Sequence, residues 1–262
     1  MIAREVVSGA AQAVGMGPLS FILRRLDRRD EQALEIDPAR RLYPASMIKA
    51  PLALAAFALV QDGVVQPSGE YVVTKANMTP NDKPSPLVPG YRATLDQLID
   101  LMLTRSDNVA TNMLFDILDR ERATQIVQQR YDLTQTAFYR KLSGSLPLIA
   151  DPLWDQVHRN SHPAADCAHL FTLIARDEVP YAYVLRSILA RQQWNEKLPA
   201  GLRPGDHFAH KTGDTDEVTH DGGILDTDGG ASYVIVVYTG MESNDTNNAK
   251  FGPFMSAIRP YL

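Results

Sequence analysis

Cysteine is nearly absent: Cys167 is the only one in 262 residues. No internal disulfide can form, so the core must hold without covalent bridges. That suits a reducing compartment and equally an exported protein built without bridges. Long hydrophobic runs are missing too. The apolar stretch Met47 to Val60 carries Lys49 and falls short of the roughly 20 residues a membrane span needs. There is no excess of positive charge either: Lys and Arg number 26 against 31 acidic residues, a formal net charge of −5, with a pI near 5.7. General nucleic-acid binding is not expected of such a chain. The pairs Arg24-Arg25 and Arg28-Arg29 are broken by Asp27 and followed by Asp30 and Glu31, and they read as a solvated hairpin rim. Residues 1–17 contain no clean signal peptide, because Glu5, Gln12 and several glycines interrupt any apolar core. The protein is therefore cytoplasmic, or it starts after a removed leader and works in the periplasm or outside the cell. Gly-rich phosphate loops and internal repeats are absent, and no cofactor is expected. His158 and His162 stand four apart with His169 behind them. They lie among Asn160 and Pro163, no carboxylate completes a ligand pattern, and no metal site is expected.

What is present is enough apolar material for a sizeable core, 45% hydrophobic against 22% charged. Periodicity predicts a helix over 2–14, then strands over Leu19 to Leu26 and Gln32 to Ile36. The run from Met47 to Val60 is too long for a strand and reads as a buried helix. Pro51 falls inside it, which predicts a local irregularity near Met47. Residues 64–93 read mostly as loop. Helices follow over Thr94 to Thr104, Asn108 to Leu118 and Arg120 to Arg130. Residues 134–163 read as a long surface loop, and loops of that length are usually functional. Helices return over Ala164 to Ala175, where Cys167 is a core residue, and over Tyr181 to Arg191. Strands are expected over His207 to Lys211, Val218 to Leu225 and Ser232 to Thr239, and a last helix over Asn247 to Ile258. Trp154 and Trp194 read as packing residues. The expected class is α/β (α+β), with an antiparallel sheet formed by both chain ends and flanked by helices. A helical subdomain, 45–191, is inserted into a sheet subdomain of 1–44 and 192–262, with the site between them.

Ser46 and Lys49 open the apolar helix. Residues three apart share a helix face, so the two side chains stand together. A serine hydroxyl is a poor nucleophile until a neighbouring base takes its proton. A lysine among Ala, Leu and Phe can give up its own proton, because burial disfavours the charge. The bland alternative is that Ser46 caps a core helix and Lys49 snorkels to water. Ser-x-x-Lys occurs about once by chance in a chain of this length, so the pair alone decides nothing. Two further clusters follow. Ser106-Asp107-Asn108 lies between two helices, where Asp and Asn can serve as caps. Lys211-Thr212-Gly213 ends a predicted strand, where Gly can serve a turn.

Ser-x-x-Lys, Ser-Asp-Asn and Lys-Thr-Gly in this order form the signature of class A β-lactamases and penicillin-binding proteins. The chain resembles that superfamily, and its spacing is similar to the class A branch, with 60 residues from Ser46 to Ser106 and 105 from Ser106 to Lys211. The resemblance extends past Lys-Thr-Gly through His220-Asp221-Gly222-Gly223-Ile224. It implies that Ser46 attacks a lactam or amide carbonyl, with Lys49 as its base. Ser106, assisted by Lys211, passes a proton toward the leaving nitrogen. Asn108 bonds the substrate's amide side chain, and Asp107 is structural. Lys211 and Thr212 bind the substrate carboxylate, with Gly213 in the same substrate-binding strand. The backbone N–H groups of Ser46 and Asp214 form an oxyanion hole.

Two departures limit the resemblance. Class A enzymes carry a glutamate in the long loop that activates the deacylating water. Counting forward, Arg140 falls on the loop's usual arginine and Leu142 falls where that glutamate belongs. The run Arg140 to Leu146 contains no acid, which leaves Asp151 and Asp155 as the remaining candidates. His220 stands where many class A enzymes place an arginine for the substrate carboxylate, and histidine carries charge only at lower pH. The expected activity is that of a β-lactamase-like serine hydrolase with slow deacylation, acting on a β-lactam, a D,D-peptide or another small amide or ester. The rivals are a D,D-peptidase or esterase of the same fold, and a penicillin-binding module acylated without turnover. The expected partner is a small-molecule substrate, and the expected state a monomer.

Overall fold

A computed structural model describes residues 2–28, 32–81, 83–143 and 149–262. Part of the predicted hairpin rim, Arg29 to Glu31, and residues 144–148 of the long loop lie outside the described residues. Helix α1 (Arg4–Ala13) leads into β1 (Leu19–Arg25) and β2 (Leu34–Ile36). A 3-10 turn over Ala45–Ile48 feeds α2 (Lys49–Gln61). A short pair, β3 (Glu70–Val72) and β4 (Arg92–Thr94), precedes α3 (Leu95–Thr104), α4 (Asn108–Leu118) and α5 (Arg120–Tyr131). After the long loop come α6 (Ala164–Ala175) and α7 (Ala182–Leu189), then β5 (His207–Asp214), β6 (Thr219–Asp226) and β7 (Ser232–Thr239). The chain closes with α8 (Asp245–Asn248) and α9 (Phe251–Ile258).

Five strands make one antiparallel sheet in the order β2-β1-β7-β6-β5, so the N-terminal hairpin pairs with the C-terminal strand as expected. Alternation explains why the sheet is covered twice, since successive side chains of a strand point to opposite faces. Phe21, Leu23, Ile235 and Val237 join one core with α1 and α9. Ile22, Val234, Val236 and Tyr238 join the other, with Cys167 of α6 and the apolar residues of α2 to α5. Helix α6 packs on β1, β6 and β7, and α2 is surrounded by α3, α4 and α5. From Lys49 to Leu59 every residue of α2 is buried, which is what a helix apolar all round requires.

The irregularity expected from Pro51 is the 3-10 turn before α2. Lys49 begins the α-helix, so Pro51 lies in its first turn, where a missing N–H costs no intrahelical bond. The β3/β4 pair was not expected in a stretch read as loop. Its strands are three residues each, too short for an apolar alternation to be detected. The 134–163 segment is only in part the surface loop expected. Ala137, Phe138, Lys141, Leu142, Ser143, Asp151, Asn160 and His162 are buried, and Ala137 and Ser161 pair across the loop's neck.

Candidate active site

Three elements bring the motif residues together. The first is the turn before α2. Ala45 has φ of 49°, a left-handed backbone that a non-glycine residue adopts only where its surroundings impose it. Ser46 follows, half-buried, and in a 3-10 turn residues three apart eclipse one another, which places Lys49 above it. Lys49 is fully buried. Its Nζ donates to the Ser106 carbonyl at 2.6 Å, to Ser106 Oγ at 3.0 Å and to Asn108 Oδ1 at 2.7 Å.

The second element is the junction of α3 and α4. Ser106 also has a left-handed backbone, φ 58°, which turns its hydroxyl toward both lysines. Asp107 caps α4 by accepting from the Ala110 N–H at 2.9 Å. Asn108 is held from a neighbouring strip: its N–H donates to Asn81 Oδ1 at 2.6 Å and its Nδ2 to the Pro80 carbonyl at 3.0 Å.

The third is β5. Lys211, fully buried, donates to Ser106 Oγ at 3.0 Å and to the Thr212 carbonyl at 2.9 Å. One hydroxyl thus accepts from Lys49 and Lys211 together. A hydroxyl has two acceptor lone pairs and one donor proton. With both lone pairs engaged, the Ser106 proton is what remains to be given to a third atom. Gly213 sets how close β5 lies to the nucleophile turn. A Cβ there would sit 3.0 Å from Met47 Cγ, 3.0 Å from the Pro44 carbonyl oxygen and 3.3 Å from Ala45 Cβ. Gly213→Ala is expected to cost about 1–3 kcal/mol of stability, as overpacking does, and to slow labelling of Ser46, because the neighbour it displaces is the Ser46 turn. Urea midpoints and labelling rates check this, and parent values for both would contradict it.

Asp214 and His220 have roles the sequence did not disclose. Burial alone would raise the Asp214 carboxyl, but the Lys197 ammonium, by charge and by a 2.6 Å hydrogen bond, and the Ser243 hydroxyl outweigh it and hold it below the usual carboxylate range. Lys197, fully buried, also donates to the His220 carbonyl at 3.1 Å, tying β5 to β6 beside the site. His220 was expected to face the substrate carboxylate. Instead its ring is fully buried and lies flat on Tyr238, centroids 4.1 Å apart. Its Nε2 donates to the Tyr43 carbonyl at 2.8 Å and its Nδ1 accepts from the Thr239 N–H at 3.1 Å. One nitrogen is spent on the segment leading into the Ser46 turn and the other on the backbone of β7, so both are taken.

Burial brings His220 down to about 4 from an ordinary 6.5, and burial brings His162 down to about 3. A depressed histidine means the unfolded chain binds more protons, so stability falls as pH drops below about 6.5 and keeps falling until each folded value is reached. His220 accounts for a loss of about 3 kcal/mol between pH 7 and pH 4. Urea unfolding across that range is expected to flatten in His220→Gln. An unchanged slope would contradict this assignment.

The loop's acids are engaged elsewhere. Asp151 is buried and takes Arg120 at 2.6 and 2.9 Å and the Lys141 N–H at 2.7 Å. Burial would raise its carboxyl, and the Arg120 hydrogen bonds reverse the shift and lower it. Asp155 is exposed; its bond to the His158 ring and the N–H groups of His158 and Val157 hold it down at about 2. Leu142 is buried, and Asn112 clamps its peptide from both sides: the Leu142 N–H donates to Oδ1 at 2.8 Å and Nδ2 donates to the Leu142 carbonyl at 2.9 Å. Arg140 lies over the Trp154 ring, 5.1 Å from its centroid. His158 and His162 bond Asp155 and Thr136, and no cluster of metal-ligating side chains occurs among the described residues.

Lys49, Ser106, Asn108 and Lys211 are therefore joined directly by hydrogen bonds, Gly213 packs on the Ser46 turn, Thr212 and Asp214 flank it on β5, and the His220 ring is buried against Tyr238. Sequence reasoning missed Asn112 and Lys197. Asn112 stands four residues after Asn108 on α4, so helical spacing could have found it. Lys197 lies in no motif and carried no signal.

This sheet, with helices on both faces and a Ser-Lys turn set against a Lys-Thr-Gly strand, is the architecture of the serine β-lactamase superfamily. A model of the beta-lactamase enzyme family matches residues 4–257, and the chain belongs to that family. The structure of PBP-A is 26% identical with a TM-score of 0.82, covering 98% of this chain and 96% of that chain. A leucine-to-glutamate mutant of PBP-A, solved as an acyl-enzyme complex with penicillin G, is 25% identical with a TM-score of 0.81, over the same shares of the two chains. A β-lactamase from Sphaerobacter thermophilus shares the fold, at 20% identity and a TM-score of 0.84, covering 99% of this chain and 98% of that chain. The beta-lactamase regulatory protein BlaB of Streptomyces cacaoi is 33% identical over 131 residues, which is 47% of this chain and 40% of that protein. The match thus spans less than half the length of that relative.

Proposed function

We propose that the protein is a serine hydrolase that forms an acyl-enzyme at Ser46 with a β-lactam or a related amide, and that it releases the product slowly. The observation that carries this reading is the Lys49–Ser106–Lys211 relay, two 3.0 Å bonds converging on one hydroxyl beside the Ser46 turn. Ser46 Oγ attacks the carbonyl as its proton passes to Lys49. Nζ has three acceptors around it, which suit the ammonium that forms when Lys49 takes the Ser46 proton. The tetrahedral oxygen takes the N–H groups of Ser46 and Asp214. The C–N bond then breaks as Ser106 gives its proton to the leaving nitrogen and recovers one from a neighbouring lysine. Thr212 and Lys211 hold the substrate carboxylate. Asn108 Nδ2 gives one of its two hydrogens to the Pro80 carbonyl, and the second serves the substrate's amide.

Slow release rests on Leu142. No carboxylate occupies its place, and Asp151 and Asp155 have other partners. The acylation step has support from PBP-A, one mutant of which forms an acyl-enzyme complex with penicillin G. The same observation favours a second reading, a penicillin-binding module acylated once without turnover; a D,D-peptidase or esterase would use the same residues. The reading also divides the chain into 1–44 with 192–262 and 45–191, because Lys49 and Ser106 come from one part and Lys211 from the other. It implies a monomer acting on a small molecule. Stopped-flow mixing with a chromogenic β-lactam tests it. A burst of about one equivalent followed by slow turnover is expected. Fast linear turnover would overturn slow release, and no burst with β-lactams but turnover of a D-alanyl ester would favour the esterase.

A further inference from the structure

A cavity of about 470 Å³ lies between the segment leading into Ser46 and the neck of the long loop, and none of the motif residues lines it. That volume is in the range of small-molecule sites. Its walls include Arg41 and Arg159 and no Asp or Glu, in a chain whose net charge is −5. Arg159 is fixed in place. Its guanidinium stacks 4.1 Å from the centroid of the Tyr43 ring, and Nη1 pairs with Glu217, which is outside the cavity, at 3.0 Å. That pair is exposed, and exposed pairs contribute little, so the guanidinium can share its charge with a second anion. Neither Arg41 nor the Gln135 amide makes a side-chain hydrogen bond or ion pair among the described residues. The floor is rigid: Ala137 and Ser161 exchange backbone bonds of 2.9 and 3.0 Å, and Asn160 Oδ1 accepts from the N–H groups of Tyr139 and Arg140 at 2.7 and 3.0 Å.

We propose that this cavity binds a small organic carboxylate. Arg41 offers the planar fork that matches a carboxylate, Arg159 adds a second positive charge, and the rings of Tyr43 and Tyr139 cover the hydrocarbon part. The wall is continuous with the catalytic turn, because the Tyr43 carbonyl accepts from His220 and Ser46 lies three residues on.

The test is an amide NMR titration of the full chain with glutarate, run beside one with inorganic phosphate. Glutarate is expected to give saturable shifts at 41–43, 134–139 and 159–161. Arg41→Ala and Arg159→Ala should each weaken binding at least tenfold; both side chains are exposed, so the variants fold. Arg159→Lys, which keeps the charge and loses the stack, should weaken it less. Lys211→Ala should leave these shifts unchanged, which separates the cavity from the carboxylate subsite proposed on β5. Absence of saturable shifts, shifts insensitive to either arginine, or shifts lost in Lys211→Ala would overturn the proposal. Phosphate binding as tightly as glutarate would overturn its organic-carboxylate specificity.

Discussion

Leu142→Glu is expected to shorten the life of a penicillin adduct on Ser46 by about 10-fold or more. General-base catalysis is worth roughly 10²–10⁴-fold. The gain should fall at the low end, because a transplanted base lacks the supporting contacts that would orient it. The structure fixes the backbone at this position. The Leu142 peptide is clamped on both sides by Asn112, so a new side chain starts from a fixed backbone. The neighbouring Lys141 is tied down as well, its Nζ bonded to Asp116 at 2.7 Å. The opposing cost is burial, since Leu142 packs in the main core, and a carboxylate there is held by whatever hydrogen bonds and water it can recruit. Stopped-flow acylation followed by mass-monitored decay, in parent and variant, measures the change. Rapid decay in the parent that is lost in Asp155→Asn would show that another acid has taken the role. The corresponding Asp151 variant is a poorer probe, because breaking the buried pair with Arg120 costs about 3–5 kcal/mol by itself.

Lys49 carries the other large expected effect. Lys49→Ala should slow acylation by about 10²–10⁴-fold, the usual worth of a positioned base. Lys49→Arg should not rescue it, because a guanidinium stays protonated at any working pH. It is also a larger, planar group in a site with no exposed surface, where three acceptors already stand 2.6–3.0 Å from Nζ. The alanine variant leaves the Asn108 and Ser106 oxygens without that donor, so a folded control is needed, and circular dichroism supplies it. The rate should be followed across pH. Near-parent acylation by Lys49→Arg would place the base elsewhere.

The sequence was most informative where local pattern and motif agreed. α4, α6 and β7 fall where the sequence put them: α4 has an apolar face and a capping Asp107, and α6 and β7 are apolar runs of helix and strand length. The Lys49–Ser106–Lys211 cluster was legible too, because Ser-x-x-Lys, Ser-Asp-Asn and Lys-Thr-Gly each fall within four residues of sequence. What could not be read was anything set by tertiary approach. In the sequence Gly213 reads as a substrate-strand residue with a turn as the alternative; it lies within β5, and its lack of a side chain is required by the closeness of the Ser46 turn. His220 looked like a ligand for a substrate, and only the fold shows Tyr43 and Thr239 taking both its nitrogens. The partner of Asp214 lies 17 residues away, at Lys197, with no periodicity to announce it. Asp151 stood as a candidate base until its pairing with Arg120, 31 residues distant, placed it in the loop's scaffold.

Intact-protein mass after brief exposure to penicillin G, with peptide mapping of the adduct, bears most directly on the central claim that Ser46 is the acylated residue. The expected result is one equivalent of added penicillin, confined to the peptide that contains Ser46, persisting after excess drug is removed, and absent in Ser46→Ala. An adduct that survives Ser46→Ala, or no adduct and no drug consumption in the parent chain, would contradict the account.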